Sequence, residues 1–331
     1  MVSRQDVEMA YRLILGRDPE NERVIAEKVE SNRSLGELRR VFLESPEFAE
    51  IASGLGLEGA PTGHKPLIWP PIDVEVNVPP PLLDQMIARI EREFVHLGET
   101  EPHWSVISED RFKASAITNF ESEFFESGAG VVGDFRLAAA RNGIRLDRYQ
   151  RCFELGCGLG RSTIWLAKLF PSVMGADISA THLVLARRAM PHFGAKNVEF
   201  LHLNKIASLD SLDPYDVLFS IIVLQHNPPP LMARMLSALL ARLRPGGVAY
   251  FQVPTYIRGY RFNAREYLSR EQAPGVPEMH ALPQAVLFEI VAAAGCALVE
   301  IREDGAAGSA AVSNRVLVIK PAAHTADTFS S

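Results

Sequence analysis

Cysteine is scarce: Cys152, Cys157 and Cys296 are the three thiols among 331 residues, an odd number with neither C-x-x-C nor Cys/His ligand spacing. That excludes a disulfide scaffold and a zinc ribbon, and the thiols read as small buried hydrophobes in a reducing cytoplasm. No apolar run reaches the length of about 18 residues that a membrane-spanning helix needs. The amino terminus meets Asp6 and Glu8 before any apolar stretch, the wrong pattern for a secretory signal. Positive charge is short as well. The formal net charge is −6 and no Lys/Arg run is long enough to track a phosphate backbone, so nucleic acid is not an expected partner. No compact Asp/Asn or His cluster has ligand spacing, so no metal is expected.

What remains is an ordinary globular composition, 47% hydrophobic and 22% charged, in a chain long enough for one large domain and a small one. Residues 1–55 read as a helical accessory domain. VEMAYRLILG closes at Gly16, a plausible helix C-cap, Ser34 caps LGELRRVFLE, and Ser45-Pro46-Glu47 starts a further turn. Residues 56–81, rich in Gly and Pro, read as an extended linker poor in hydrogen bonds. Helical periodicity returns in LLDQMIARIEREFVHLG, and residues 82–145, with an aromatic stretch and a helix near 131–143, read as a helical lid. From 146 to 322, apolar runs (CFEL, VMGAD, VEFLHL, DVLFSIIVL, VAYFQV, ALVEI, RVLVI) alternate with helical patterns, the signature of βαβ units and a mostly parallel sheet covered on both faces.

The N-terminal stretch resembles a bacterial domain of unknown function with a Tyr-containing helix, then LGR-x-P, then FL-x-SPEF. The matching residues are Tyr11, Leu15-Gly16-Arg17, Pro19, Phe42-Leu43 and Ser45-Pro46-Glu47-Phe48. The resemblance implies a helical accessory module, often attached to enzymes that handle cell-surface glycans, and a surface for a protein partner.

The chemistry concentrates at Glu154-Leu155-Gly156-Cys157-Gly158-Leu159-Gly160-Arg161, which follows an apolar strand and opens the helix STIWLAKLF. Glycines at 156, 158 and 160 let the backbone turn tightly and approach a ligand. A dinucleotide fingerprint needs G-x-G-x-x-G, but Arg161 stands where its third glycine belongs. Asp177 ends the next strand, where a carboxylate can accept both hydroxyls of a ribose.

These residues resemble the class I S-adenosylmethionine-dependent methyltransferases over roughly residues 100 to 320, where the pattern is E-x-G-x-G-x-G, an acid ending the second strand and a polar residue after the third. The resemblance implies a Rossmann-like seven-stranded sheet whose last strand, near 314–320, runs antiparallel, and S-adenosyl-L-methionine as cofactor. It further implies cofactor contacts by Glu154, Gly156, Gly158, Gly160 and Asp177, with Asn204 beside the adenine in place of the usual Asp.

The methyl acceptor would meet the strand ends, where His226 is the first candidate for a general base and Glu278 and His280 the second. The segment PTYIRGYRFNAREYL interleaves Tyr256, Tyr260, Phe262 and Tyr267 with Arg258, Arg261 and Arg265, either a sugar-stacking platform or a packed lid. The expected reaction is O-methylation of a hydroxyl on a sugar, a surface glycan or a related small molecule. The alternatives are a scaffold protein on the same fold and a nicotinamide-dependent oxidoreductase or epimerase.

Overall fold

The computed structural model describes residues 2–48, 70–271, 275, 277–308 and 310–322. The chain divides into two compact units, Met1–Ile68 and Trp69–Ser331.

In the first unit, α1 (Arg4–Ala10) opens at Ser3, whose hydroxyl accepts from the Asp6 amide while the Asp6 carboxylate accepts from the Ser3 amide at 2.8 Å. The helix widens into one π turn over Tyr11–Leu15 and stops at Gly16, whose φ of 67° is costly for a residue with a Cβ. Asn21 caps α2 (Glu22–Ser31) and Ser34 caps α3 (Leu35–Leu43). Val7, Tyr11, Leu15, Ile25, Leu38 and Phe42 form the core. The two halves of the recurring pattern meet here. The Tyr11 ring stands edge-on to Phe42 at 4.8 Å, and the Arg17 guanidinium lies 4.9 Å from the Tyr11 centroid and pairs with Glu47.

The second unit begins with a short strand, β1 (Asp73–Val74), and two long helices, α4 (Pro80–Thr100) and α5 (Glu121–Arg141). The main sheet follows: β2 (Arg151–Leu155), β3 (Ser172–Asp177), β4 (Val198–His202), β5 (Tyr215–Ser220), β6 (Leu243–Ile257), β8 (Ala297–Glu303) and β9 (Ala311–Ile319), while β7 (Arg261–Phe262) pairs with β1. Its order is β4-β3-β2-β5-β6-β9-β8, with β2 to β6 parallel and β9 antiparallel to both neighbours. The helices between are α6 (Thr163–Leu166), α7 (Ala180–Ala189), α8 (Pro229–Ala241), α9 (Ala264–Ser269) and α10 (Gln284–Ala293).

Period-two alternation puts each strand's side chains into two cores. Phe153, Leu155, Leu218, Ala249 and Phe251 meet α4, α8 and α10; Cys152, Val217, Phe219, Val248 and Tyr250 meet α5 and α6. The direction of strand succession reverses between β2 and β5, and that switch opens a crevice beyond their C-terminal ends.

Four expectations need correction. The run DVLFSIIVL is strand only to Ser220, because Ile222 adopts φ 60° and turns the chain. STIWLAKLF is helical only over Thr163–Leu166, and the helix expected near 131–143 begins at Glu121. Most consequential is the stretch 56–81, of which residues 56–69 lie outside the described residues. Residues 70–78 are not a spacer poor in hydrogen bonds. β1 pairs in parallel with β7, the Glu75 amide donates to the Phe262 carbonyl at 3.0 Å, and the Glu75 carboxylate accepts from the Ala264 amide at 2.8 Å. Val74, Val76 and Val78 pack on the larger core. Their alternation in IDVEVNV is the period-two signal that the surrounding prolines obscured.

A chain starting at Trp69 should therefore fold as a stable unit. One starting at residue 82 should be destabilised by about 3 kcal/mol, at about 1 kcal/mol for each of three partly buried valines. Thermal and urea unfolding of the two truncations measures this, and equal stabilities would refute a stabilising role for residues 70–78.

Candidate functional site

The crevice is lined by Glu154, Gly156, Gly158, Arg161, Asp177, Leu203, Ile222 and His226, joined by Phe94 of α4 and by Ser105 and Val106 from the segment between α4 and α5. Its floor is the turn after β2. Gly156 has φ 72°, and a Cβ there would stand 2.2 Å from a methyl of Val223; one on Gly158 would stand 2.7 Å from a methyl of Val106. Only glycine lets the turn lie this close to both walls. Gly160 packs against Met190 and does not line the crevice.

Asp177 stabilises the turn from the neighbouring strand. One carboxylate oxygen accepts from the Gly158 amide and the other from the Ser179 amide, both at 2.8 Å. Each oxygen keeps a further lone pair for a ligand. Ser179 in turn caps α7 by accepting from the His182 amide. His182 Nδ1 lies 3.7 Å from Asp177, and its Nε2 is 3.0 Å from the Ser105 hydroxyl, which tethers the 101–106 segment to the crevice.

Glu154 is 3% exposed and accepts a 2.5 Å hydrogen bond from the Thr163 hydroxyl. Burial outweighs that bond and raises its pKa to about 7. Arg161, also buried, donates from Nη1 to the Ser127 hydroxyl at 3.1 Å, and its Nε has no partner among the described residues. Burial lowers its pKa to about 10, so the guanidinium remains charged at neutral pH.

The structure brings Glu154, Gly156, Gly158, Asp177 and His226 to one crevice but not Asn204, Glu278 or His280. Leu203 follows β4 and turns inward, its amide donating to the Asp177 carbonyl, so the next side chain faces outward and Asn204 donates to Glu91 of α4 at 3.0 Å. Leu203, not Asn204, is the crevice residue at this strand end.

His226 sits in the short turn after β5. Its Nδ1 is 3.1 Å from the Glu278 carbonyl and its Nε2 3.2 Å from the Gln225 side-chain nitrogen. Glu278 thus reaches His226 through its main chain, while its carboxylate faces Arg89 at 3.4 Å and His280 Nε2 at 3.6 Å. Burial holds the His226 pKa below the usual histidine value, so the ring is neutral at physiological pH.

His280 is walled in by the rings of Tyr260, Phe262 and Tyr267, with Nδ1 2.8 Å from the Tyr260 hydroxyl. Tyr260, Phe262 and Tyr267 of the aromatic insert are thus packed around His280 and not presented as an open stacking platform. Ser105, Val106, Arg161 and His182 escaped the sequence reading. Arg161 was visible only as a missing glycine, and the others reach the crevice through packing that leaves no local pattern.

A family model described as a methyltransferase domain matches residues 153–249, from the middle of β2 to the middle of β6. The fold is a methyltransferase fold. Magnesium protoporphyrin IX methyltransferase from Synechocystis PCC 6803 with bound SAH superposes with a TM-score of 0.50 at 18% identity, covering 72% of this chain and 99% of that one. Among curated relatives, trans-aconitate 2-methyltransferase of Azoarcus sp. (strain BH72) is 37% identical over 126 residues, 37% of this chain and 47% of the relative. The Deinococcus radiodurans protein of the same name is 36% identical over 108 residues, 32% and 38% respectively. The chain thus spans less than half the length of these two methyltransferases. Among the described residues, no group of three or more His, Cys, Asp or Glu side chains could hold a metal ion, and no helix is long and apolar enough to cross a membrane.

Burial drives the His280 pKa down to about 3. An imidazole whose native pKa lies below its unfolded value of about 6.5 contributes stability above pH 6.5 that is lost as pH falls toward 3. His280→Phe should shrink the drop in unfolding free energy between pH 7 and pH 5 by about 2 kcal/mol, at 1.4 kcal/mol per pKa unit. Urea unfolding at the two pH values measures it, and an unchanged drop would show that His280 does not titrate in this way.

Proposed function

We propose that this protein is an S-adenosyl-L-methionine-dependent methyltransferase that acts on an oxygen of a small-molecule acceptor. One observation carries the reading: a single crevice at the switch point of a methyltransferase sheet collects the glycine turn, two carboxylates and a neutral histidine. S-adenosyl-L-methionine is the cofactor. Asp177 would accept from the ribose hydroxyls, Glu154 is the carboxylate available to the α-ammonium, and Arg161 offers its unpartnered Nε to the tail carboxylate. Leu203 and Ile178 would flank the adenine.

The cofactor supplies a methyl group on a sulfonium. An acceptor oxygen lone pair would form the new C–O bond as the C–S bond breaks, the electron pair staying on sulfur. Holding those three atoms in line and excluding water supplies much of the rate. A hydroxyl acceptor must also lose a proton, and His226 is the base proposed for it. With Nδ1–H donated to the Glu278 carbonyl, the ring keeps its lone pair at Nε2.

A sugar remains one class of hydroxyl acceptor, although its stacking support is withdrawn with the burial of Phe262 and Tyr267. A second reading, a carboxylate acceptor, is favoured by the relatives named trans-aconitate 2-methyltransferase. Such an acceptor needs no base. Residues 1–55 would serve as a helical accessory module that docks a protein partner, residues 82–145 as a lid, and the three unpaired cysteines suit a reducing cytoplasm.

S-adenosylhomocysteine should bind and raise the melting temperature, and Asp177→Ala should abolish the shift. Because Glu154 titrates near pH 7 and the ammonium favours its ionised form, affinity should be full above pH 8 and weaken below pH 7 by up to about tenfold per unit. Glu154→Gln should flatten this profile. Calorimetry across pH 6 to 9 checks both, and a flat wild-type profile would exclude the Glu154 assignment.

His226→Asn separates the two acceptors. On a hydroxyl acceptor it should cost about 10²- to 10⁴-fold in turnover, the worth of one general base. With trans-aconitate as the probe for a carboxylate acceptor, the loss should stay below about tenfold, because no proton is removed. Wild-type turnover on a hydroxyl acceptor after this substitution would rule out His226 as the base.

A further inference from the structure

Behind His226 runs a line of buried amides whose polarity is set at both ends. Gln252, on β6, is fully buried and accepts from the Ile222 main-chain N–H through Oε1 at 3.1 Å. An N–H can only donate, so the other end of the Gln252 amide is its NH₂, which donates to Gln225 Oε1 at 3.0 Å and to the Ser313 hydroxyl at 2.6 Å. Gln225 must then present its own NH₂ to His226 Nε2. At the far end the Glu278 carbonyl can only accept, so the ring proton belongs on Nδ1.

Every bond from Ile222 to Glu278 therefore points the same way. The line begins at Ile222, the one non-glycine residue with positive φ among the described residues, a conformation disfavoured for a β-branched side chain. The Gln225 carbonyl accepts from the His280 amide at 2.8 Å, which closes the network onto the segment bearing Glu278.

We propose that Gln252 and Gln225 are positioning residues that hold His226 in the Nδ1–H tautomer, with its lone pair at Nε2. The inference rests on the reading of His226 as the acceptor-side base, for which this tautomer is the competent one. An entering hydroxyl replaces the Gln225 amide at Nε2 and donates its proton there. The opposite tautomer would present an N–H and could take nothing. The same network holds the Ile222 turn that forms the crevice wall beside His226.

Reversing the polarity tests this without any acceptor. In Gln252→Glu the new carboxylate accepts but cannot donate. Gln225 then turns its NH₂ toward the carboxylate and its Oε1 toward His226, which gains a proton at Nε2 while keeping that on Nδ1. The titratable groups around His226 are otherwise unchanged: His280 and Glu278 on one side, with Arg89 of α4 paired to Glu278, and Glu154, Asp177 and Arg161 across the crevice.

The measurement is ¹⁵N NMR of the histidine ring nitrogens in the full chain, with the His226 signals assigned by their loss in His226→Asn. Wild type should show the neutral Nδ1–H pattern at pH 8. Gln252→Glu should show an imidazolium whose pKa is higher than that of wild type by at least one unit. Should that variant fail to fold, Gln225→Glu places the acceptor directly against Nε2 and should raise the His226 pKa likewise. Wild-type tautomer and titration in a folded variant would overturn the proposal. Wild-type calorimetry with S-adenosylhomocysteine on the same samples keeps the outcomes apart. Absent binding would sink the methyltransferase reading, while the ring-nitrogen pattern alone decides the network.

Discussion

The site depends on one carboxylate reaching across two strands. Asp177, at the end of β3, accepts the amide of Gly158 in the turn after β2 and the amide of Ser179 before α7. Buried at 7% exposure, it stays satisfied only because both amides point at it. The turn and the start of α7 are thereby held in register, and the carboxylate lines the crevice. A ligand would meet a carboxylate already oriented, so little ordering would be left to binding.

The opposite wall is built differently. β5 stops at Ser220, and Ile222 takes a left-handed conformation that brings Val223 against Gly156 and His226 into the crevice. Such a conformation persists only where the surroundings over-determine it. Here the Ile222 amide is taken by fully buried Gln252, which is anchored in turn to Ser313 of β9. The antiparallel last strand thus supports the His226 wall of the crevice through a side chain, beyond completing the sheet.

Charge within the crevice is arranged in the same economical way. Glu154 and Arg161 lie seven positions apart in sequence, both buried, and burial moves each pKa toward neutrality. Buried groups of opposite charge with unfilled hydrogen-bonding capacity suit a zwitterionic ligand, and the amino-acid tail of the proposed cofactor is one. His226 and His280 show the contrasting use of burial. Both are kept neutral, but one faces the crevice and the other is sealed by aromatic rings.

Much of this was legible in the residues. Glycines at 156 and 158 after an apolar strand, an acid at the end of the next, and seven alternating runs determine the sheet and the floor of the crevice, because turn conformation and strand burial are local properties written at fixed spacing. Capping did the same for two N-terminal helix ends, where Ser34 starts one helix and Gly16 ends another, while the Ser3 and Asn21 caps emerged only in the structure. What only the tertiary structure decided is which side chains face inward across long sequence distances. Leu203 turned in and Asn204 out, Val74 to Val78 became part of the large unit through a two-residue pairing with Arg261 and Phe262, and Ser105 reached His182 across 77 positions. His226 and His280 look alike in sequence and differ because packing aims one ring at the crevice and encloses the other. No periodicity records such choices, since each is set by the neighbours that the fold delivers.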